Sequence, residues 1–379
     1  MRLRPARLED WLRNRYFAAD IDISSSGVQP YSMADLRAMT GLGHEEIDGL
    51  VFNDGYSLGS MAIRMAIAKR CGGCDPDKIM TTSGSGEAIS LVMMALLRPD
   101  DEVIVVHPGY HLLVEFAVAL GCTVKTWRLN FEDGWHASLA ELAGLVTERT
   151  HAIIVNFPQN PTGASIGEDD FRILLKCAEE VGAYVLWDAA FAGLSYGAEP
   201  LPDISSCYER SVSFGTFSKA FGLPGLRFGW CIAPPDVLSD CMRLRDYSTL
   251  HVSPLIELLA LRVLENADLF LAPRLKQASA NLDILTEWAD VVADRISLIL
   301  PAGGVAAFPR LDDLMNTDKF CESLFQEQGV LVVPGSCFGA PQHIRLGFGG
   351  ATDELIVGLG KLGTALGDRR TLKPIAHGL

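Results

Sequence analysis

Seven short β-rich runs alternate with helical segments between residues 78 and 233, and nothing else in the chain restricts its fold so tightly. The runs cover residues 78–82, 102–107, 123–129, 151–157, 184–188, 211–216 and 227–232. Between most of them lie stretches of helical length and period, such as residues 87–97 and 169–181. Strand and helix in alternation predict an α/β domain on a mainly parallel sheet. In such sheets ligands bind beyond the carboxyl ends of the strands. The polar and glycine-rich segments of this chain fall at those ends: Ser83-Gly84-Ser85-Gly86, His107-Pro108-Gly109-Tyr110, residues 156–163, residues 188–191 and residues 213–229.

After Pro254 the texture changes. A long helical stretch to residue 290 precedes a β-like region at 296–311, a helix near 318–328, short β runs at 330–333 and 343–348, and a last helix. This predicts a smaller α+β domain over residues 255–379, joined by an N-terminal arm of residues 1–45, with residues 46–254 as the large domain. A chain of 379 residues has room for both. Residues 368–379 are expected to be loosely ordered, as termini often are.

Composition excludes several function classes. A net charge of −15 argues against nonspecific nucleic-acid binding and against a polybasic membrane surface site. No apolar run approaches the roughly 20 residues of a membrane span. The basic start (Arg2, Arg4, Arg7) leads into Glu9-Asp10-Trp11 and not into an apolar segment, so no secretory signal is read. Nine cysteines, an odd number scattered through a long chain, suit a reducing compartment, and a cytoplasmic location is expected. Cys71-Gly72-Gly73-Cys74 lacks the second pair that would complete a metal site, so no metal is expected.

The chemistry concentrates in residues 213–229. Lys219 stands there among Thr216, Ser218, Gly222 and Gly225, with Arg227 eight positions on. A Schiff base forms only from a neutral amine, so such a lysine needs burial or a neighbouring cation to lower its pKa. A phosphate beside it calls for hydroxyls, backbone N–H groups and a forked guanidinium. Three further elements answer related needs. Asp188 ends an apolar run and can keep a pyridine nitrogen protonated. Asn160 lies in Asn156-Phe157-Pro158-Gln159-Asn160-Pro161-Thr162-Gly163. Thr81-Thr82-Ser83-Gly84-Ser85-Gly86-Glu87 leads from strand to helix and presents free N–H groups to an anion.

Together these elements resemble fold-type I pyridoxal-phosphate enzymes, the aspartate-aminotransferase-like superfamily, over essentially the whole chain. The resemblance implies an α/β fold with a mainly parallel seven-stranded sheet and pyridoxal 5′-phosphate as cofactor. It makes Lys219 the Schiff-base lysine and the base for the Cα proton. Ser85, Gly86, Thr216, Ser218 and Arg227 would then surround the phosphate, Asp188 would meet the pyridine nitrogen, Asn160 the phenolic oxygen, and Tyr110 would stack on the ring. Arg345, in His343-Ile344-Arg345-Leu346-Gly347-Phe348, would grip the substrate α-carboxylate, and Gly27, after Ser24-Ser25-Ser26, would belong to the loop that closes over the substrate. A homodimer with shared active sites is implied as well.

Two positions depart from the common pattern. Phe191 stands where many of these enzymes carry a tyrosine that hydrogen-bonds the phenolic oxygen, and Asp54 where a partner-subunit tyrosine is usual, so no phosphate role passes to Tyr56. With residues 11–17, 22–28, 187–191 and 244–250, these departures are similar to the hydroxyarginine cyclases of the superfamily. Those enzymes turn a β-hydroxylated L-arginine into capreomycidine-type cyclic guanidino amino acids for peptide antibiotics. The implied reaction removes the Cα proton, expels the β-hydroxyl and adds a guanidino nitrogen to Cβ, with Asp54 or Asp22 as a carboxylate for the guanidinium. An ordinary amino acid aminotransferase needs the same motifs and remains the alternative; a non-catalytic pyridoxal-binding regulator is the third reading.

Overall fold

The computed structural model describes residues 3–197 and 199–367; the expectation for residues 368–379 lies outside them. The seven runs form β1 (Ile79–Thr82), β2 (Glu102–His107), β3 (Thr123–Arg128), β4 (Thr150–Asn156), β5 (Tyr184–Asp188), β6 (Ser211–Thr216) and β7 (Gly229–Ile232). They make one sheet in the order β1-β7-β6-β5-β4-β2-β3. Neighbours pair in parallel except at β7, which runs antiparallel to both β1 and β6.

Alternate side chains of a strand face opposite sides, and here both sides are apolar. Val103 and Val105 pack with Ile89, Val92 and Leu113 on one side, whereas Ile104 and Val106 pack with Trp127, Phe171 and Leu174 on the other. That is why β2, β4 and β5 read as continuous apolar runs and not as alternating ones. Helix Ser85–Leu96 covers the first face and helix Glu168–Val181 the second. The second helix buries Phe171, Leu174 and Ala178 and stops at Gly182, whose φ of 67° closes the last turn in the left-handed region.

β7 begins at Gly229 and not at Arg227, as the sequence suggested. Arg227 closes the turn Pro224–Leu226 with a left-handed backbone (φ 53°), so it cannot continue as strand. The long helical stretch after Pro254 is two helices, Pro254–Glu265 and Ala267–Val291, divided at Asn266, whose Nδ2 donates to the Arg262 carbonyl at 2.9 Å. The region 296–311 holds three two-residue strands, Ile296–Ser297, Ala306–Ala307 and Arg310–Leu311. Ala306–Ala307 and Val333–Pro334 flank Ile344–Gly347 in an antiparallel sheet. The N-terminal segment joins this second group of strands, because Ile21–Asp22 pairs in parallel with Val330–Leu331.

Among the described residues no helix is long and apolar enough to cross a membrane. Burial pushes the Cys71 thiol well above its ordinary pKa and the Cys74 thiol up to about 11, so neither is a ready thiolate.

Candidate active site

A cavity of about 340 Å³ lies at the carboxyl ends of β4, β5 and β6, whose last residues, Asn156, Asp188 and Thr216, all line it. The eleven residues to which the resemblance gave a cofactor, catalytic, carboxylate-binding or loop-closing role all contribute to its wall: Gly27, Ser85, Gly86, Tyr110, Asn160, Asp188, Thr216, Ser218, Lys219, Arg227 and Arg345.

Lys219 Nζ donates to Ser26 Oγ at 2.7 Å and lies 5.9 Å from the centre of the Phe191 ring. Loss of hydration, followed by the positive field of Arg345, lowers its pKa to about 8. Asp188 and Glu9 oppose that shift. The amine is therefore neutral above about pH 8, well below the range of an ordinary lysine. In the cofactor-free protein, an amine-acylating reagent should modify Lys219 with a rate that rises with pH and levels off near pH 8. A lysine in a short model peptide, with an ordinary pKa near 10.4, should still be gaining reactivity near pH 10. Peptide mass spectrometry reads both, and a common profile would remove the premise of a neutral amine.

Asp188 is 5% exposed. Its carboxylate accepts from the Ala190 N–H at 3.1 Å, while Asn156 Nδ2 donates to its main-chain carbonyl at 2.8 Å and so fixes the strand end. Burial raises its pKa to about 6, with the Ala190 hydrogen bond and Lys219 pulling the other way. A buried carboxylate held this weakly fits a cationic N–H that arrives with a ligand.

Arg345 is 2% exposed, and its hydrogen-bond partners among the described residues are neutral. Nη1 donates to Asn160 Oδ1 at 3.1 Å, Nη2 donates to the Ser24 carbonyl at 2.8 Å, and Nε is buried without a partner. Desolvation lowers its pKa to about 10. Such a guanidinium is suited to an incoming carboxylate.

The opposite requirement, an anion cup, is met around helix Ser85–Leu96. Its N-cap is Gly84, at φ 86°, which supplies no side-chain cap and leaves the first N–H groups free. A Cβ on Gly84 would lie 2.5 Å from Arg227 Nη2 and displace the guanidinium, and the φ of 86° is itself one that L side chains rarely adopt. Arg227 Nη1 donates to Ser218 Oγ at 3.2 Å, and Thr216 Oγ1 lies 3.1 Å from the same hydroxyl. Cup, aromatic Tyr110, carboxylate and low-pKa amine together fit a phosphorylated pyridine aldehyde.

The loop of Gly27 closes on the same cavity, since a Cβ there would come within 3.2 Å of the Ser218 carbonyl. The two carboxylates suggested for a guanidinium do not line it. Asp22 Oδ1 is taken by the Ser24 N–H and hydroxyl, and the Asp54 side chain is 99% exposed, 3.4 Å from His251 Nε2. Residues the sequence reading left without a role do line it: Ser26, Asn156, and the wall formed by Leu8, Glu9, Leu12 and Tyr16. Asn156 could have been noticed as a polar residue ending an apolar run, whereas nothing local marked Ser26 or the wall.

The aminotransferase class I and II family matches residues 46–361. Capreomycidine synthase of Streptomyces vinaceus is 44% identical over 364 residues, 96% of this chain and 94% of that protein. The aspartate aminotransferase of Thermotoga maritima is 28% identical over 320 residues, 82% of each chain. Among solved structures, the PLP-dependent cyclase OrfR superposes with a TM-score of 0.92 at 39% identity, covering 98% of this chain and 99% of that one. A PLP-dependent aminotransferase from Streptococcus suis gives the same TM-score at 31% identity, with 98% and 100% coverage. With this sheet, this lysine cavity and these relatives, the chain belongs to the class I and II aminotransferase family, has the fold-type I architecture, and takes pyridoxal 5′-phosphate as its cofactor.

Proposed function

We propose that this chain cyclises a β-hydroxylated L-arginine to a capreomycidine-type cyclic guanidino amino acid, a step in antibiotic biosynthesis. The observation that carries the reading is the 44% identity to capreomycidine synthase over 96% of the chain, supported by a cavity that offers carboxylates and a low-pKa amine together. In the overall change the Cβ–OH bond is exchanged for a Cβ–N bond to the substrate's own guanidino group, and one water is lost.

Bound in the cavity, the cofactor supplies an electron sink for the bond broken at Cα. The chain's own residues do the rest. Ser85, Gly86, Thr216, Ser218 and Arg227 would hold the phosphate, Tyr110 would pack on the ring, and Asn160 would donate to the phenolic oxygen. Asp188 would keep the ring nitrogen protonated. Arg345 clamps the α-carboxylate, which fixes Cα near Lys219 Nζ, and the neutral amine accepts the Cα proton. Ser26 orients that amine through its hydrogen bond. Gly27 and its loop exclude water, so that the guanidine and not solvent meets Cβ.

We place the protein in the cytoplasm, which suits its nine unpaired cysteines, and infer a homodimer. Exposed large apolar side chains support the latter: Val51, Phe52, Tyr56 and Met65 lie on one segment, and Tyr247 and Leu250 shortly precede His251, which meets Asp54 of that segment. Mass spectrometry of the product from 3-hydroxyarginine tests the reading. A product lighter than substrate by one water supports cyclisation, whereas a keto acid would establish the aminotransferase alternative.

A further inference from the structure

We propose that Glu9 holds the guanidinium of the substrate, and that helix Arg7–Arg13 is the wall by which the cavity selects its side chain. The inference rests on the reading above that the substrate is an arginine derivative.

Among the described residues, five formally charged side chains line the cavity: Glu9, Asp188, Lys219, Arg227 and Arg345. Four have work in binding the cofactor or the amino acid core of the substrate. Glu9 has none, and among the described residues its carboxylate makes no side-chain hydrogen bond or ion pair, although Arg7 and Arg13 share its helix. An amino acid with a cationic end brings one positive charge that the other four do not neutralise. A carboxylate matches the planar fork of a guanidinium with two parallel hydrogen bonds.

The wall around it has the matching shape. Leu8, Leu12 and Tyr16 reach the cavity beside Glu9, offering apolar surface to a methylene stem with the carboxylate among them. The helix is fixed by burial of Leu8 and by Trp11 Nε1, which donates to the Val332 carbonyl at 2.8 Å. Glu9 is solvent-exposed, and it lines the same cavity as Lys219, Tyr110 and Arg345, the groups proposed for the other end of the substrate. The competing carboxylates are engaged elsewhere: Asp22 with Ser24, and Asp54 across from His251 in solvent.

The test compares L-arginine, which lacks a β-hydroxyl to expel, with L-citrulline, its uncharged near-isostere, as ligands of the holoenzyme by titration calorimetry. Glu9→Gln should weaken arginine at least about tenfold, the range for a hydrogen bond to a charged group. Citrulline should stay within about twofold. Glu9→Asp should fall between wild type and E9Q. A misfolded variant would lose both ligands alike, so equal weakening overturns the proposal, as does unchanged arginine affinity in E9Q. The source of failure can be told apart. If the wild type cyclises 3-hydroxyarginine and E9Q binds arginine normally, only the role of Glu9 falls. If the wild type neither prefers arginine to citrulline nor cyclises, the reading of the substrate falls with it.

Discussion

Lys219→Ala should lower the rate of cyclised product by about 10⁴-fold, the upper range for a positioned acid–base group. Among the described residues no other amine lines the cavity, so no second amine there can take the Cα proton in its place. Quantifying product in a single turnover gives the answer, and a variant retaining a few per cent of the wild-type rate would move the base to another residue. A stability measurement separates this loss from misfolding. Lys219 titrates near 8 in the folded chain against an ordinary 10.5, so between those values the unfolded chain binds more protons and stability rises with pH. The cost of burying the cation is fully present below about pH 8. The cofactor-free alanine variant should therefore unfold at a higher temperature than wild type at pH 7, and the advantage should vanish by about pH 10.5.

Asp188→Asn should cost about 10³-fold in rate, the size of removing one preorganised electrostatic group. The amide is nearly isosteric and can still accept from the Ala190 N–H, so the geometry of β5 persists while the negative charge is lost. Here the linkage has the opposite sign from that of the lysine. The folded carboxyl titrates near 6 against an ordinary 3.8, so the folded chain binds more protons in that window and stability falls as pH rises through it. Without cofactor, the asparagine variant should be the more stable protein above about pH 6. With cofactor bound, the order should reverse, because the wild-type carboxylate then gains its cationic partner. Thermal melts of the four species at pH 7.5 decide it. Equal stabilisation of both proteins by the cofactor would contradict a contact between Asp188 and the ring nitrogen.

The large sheet was legible because its central strands β2, β4 and β5 are apolar on both faces and bounded by polar ends; β2, β5 and β6 fall at their expected limits, and the others within two residues. The two-residue strands around Ala306 and Val333 were not separable, since a pair of residues carries no periodicity. The same contrast holds in the cavity. Lys219, Asp188, Asn160 and Arg227 stand in turns or strand ends whose residue types state a chemical need. Ser26 stands 193 residues from the lysine it meets, and the helix bearing Glu9 reaches the cavity through Trp11 and the strand near Val332, partners 321 residues apart. Such meetings belong to the tertiary arrangement, and no local pattern announces them.

The short stretch from Val330 to Pro334 has a consequence for how substrates are measured. Val330 pairs with Ile21, Val332 receives the Trp11 hydrogen bond, and Val333 is in register with Arg345. On the roles proposed above, the groups for the two ends of the substrate hang from one ribbon of five residues, while Lys219 follows the last parallel strand of the large sheet. The span between Arg345 and the helix of Glu9 would then be set by this ribbon, on a support separate from the reactive amine.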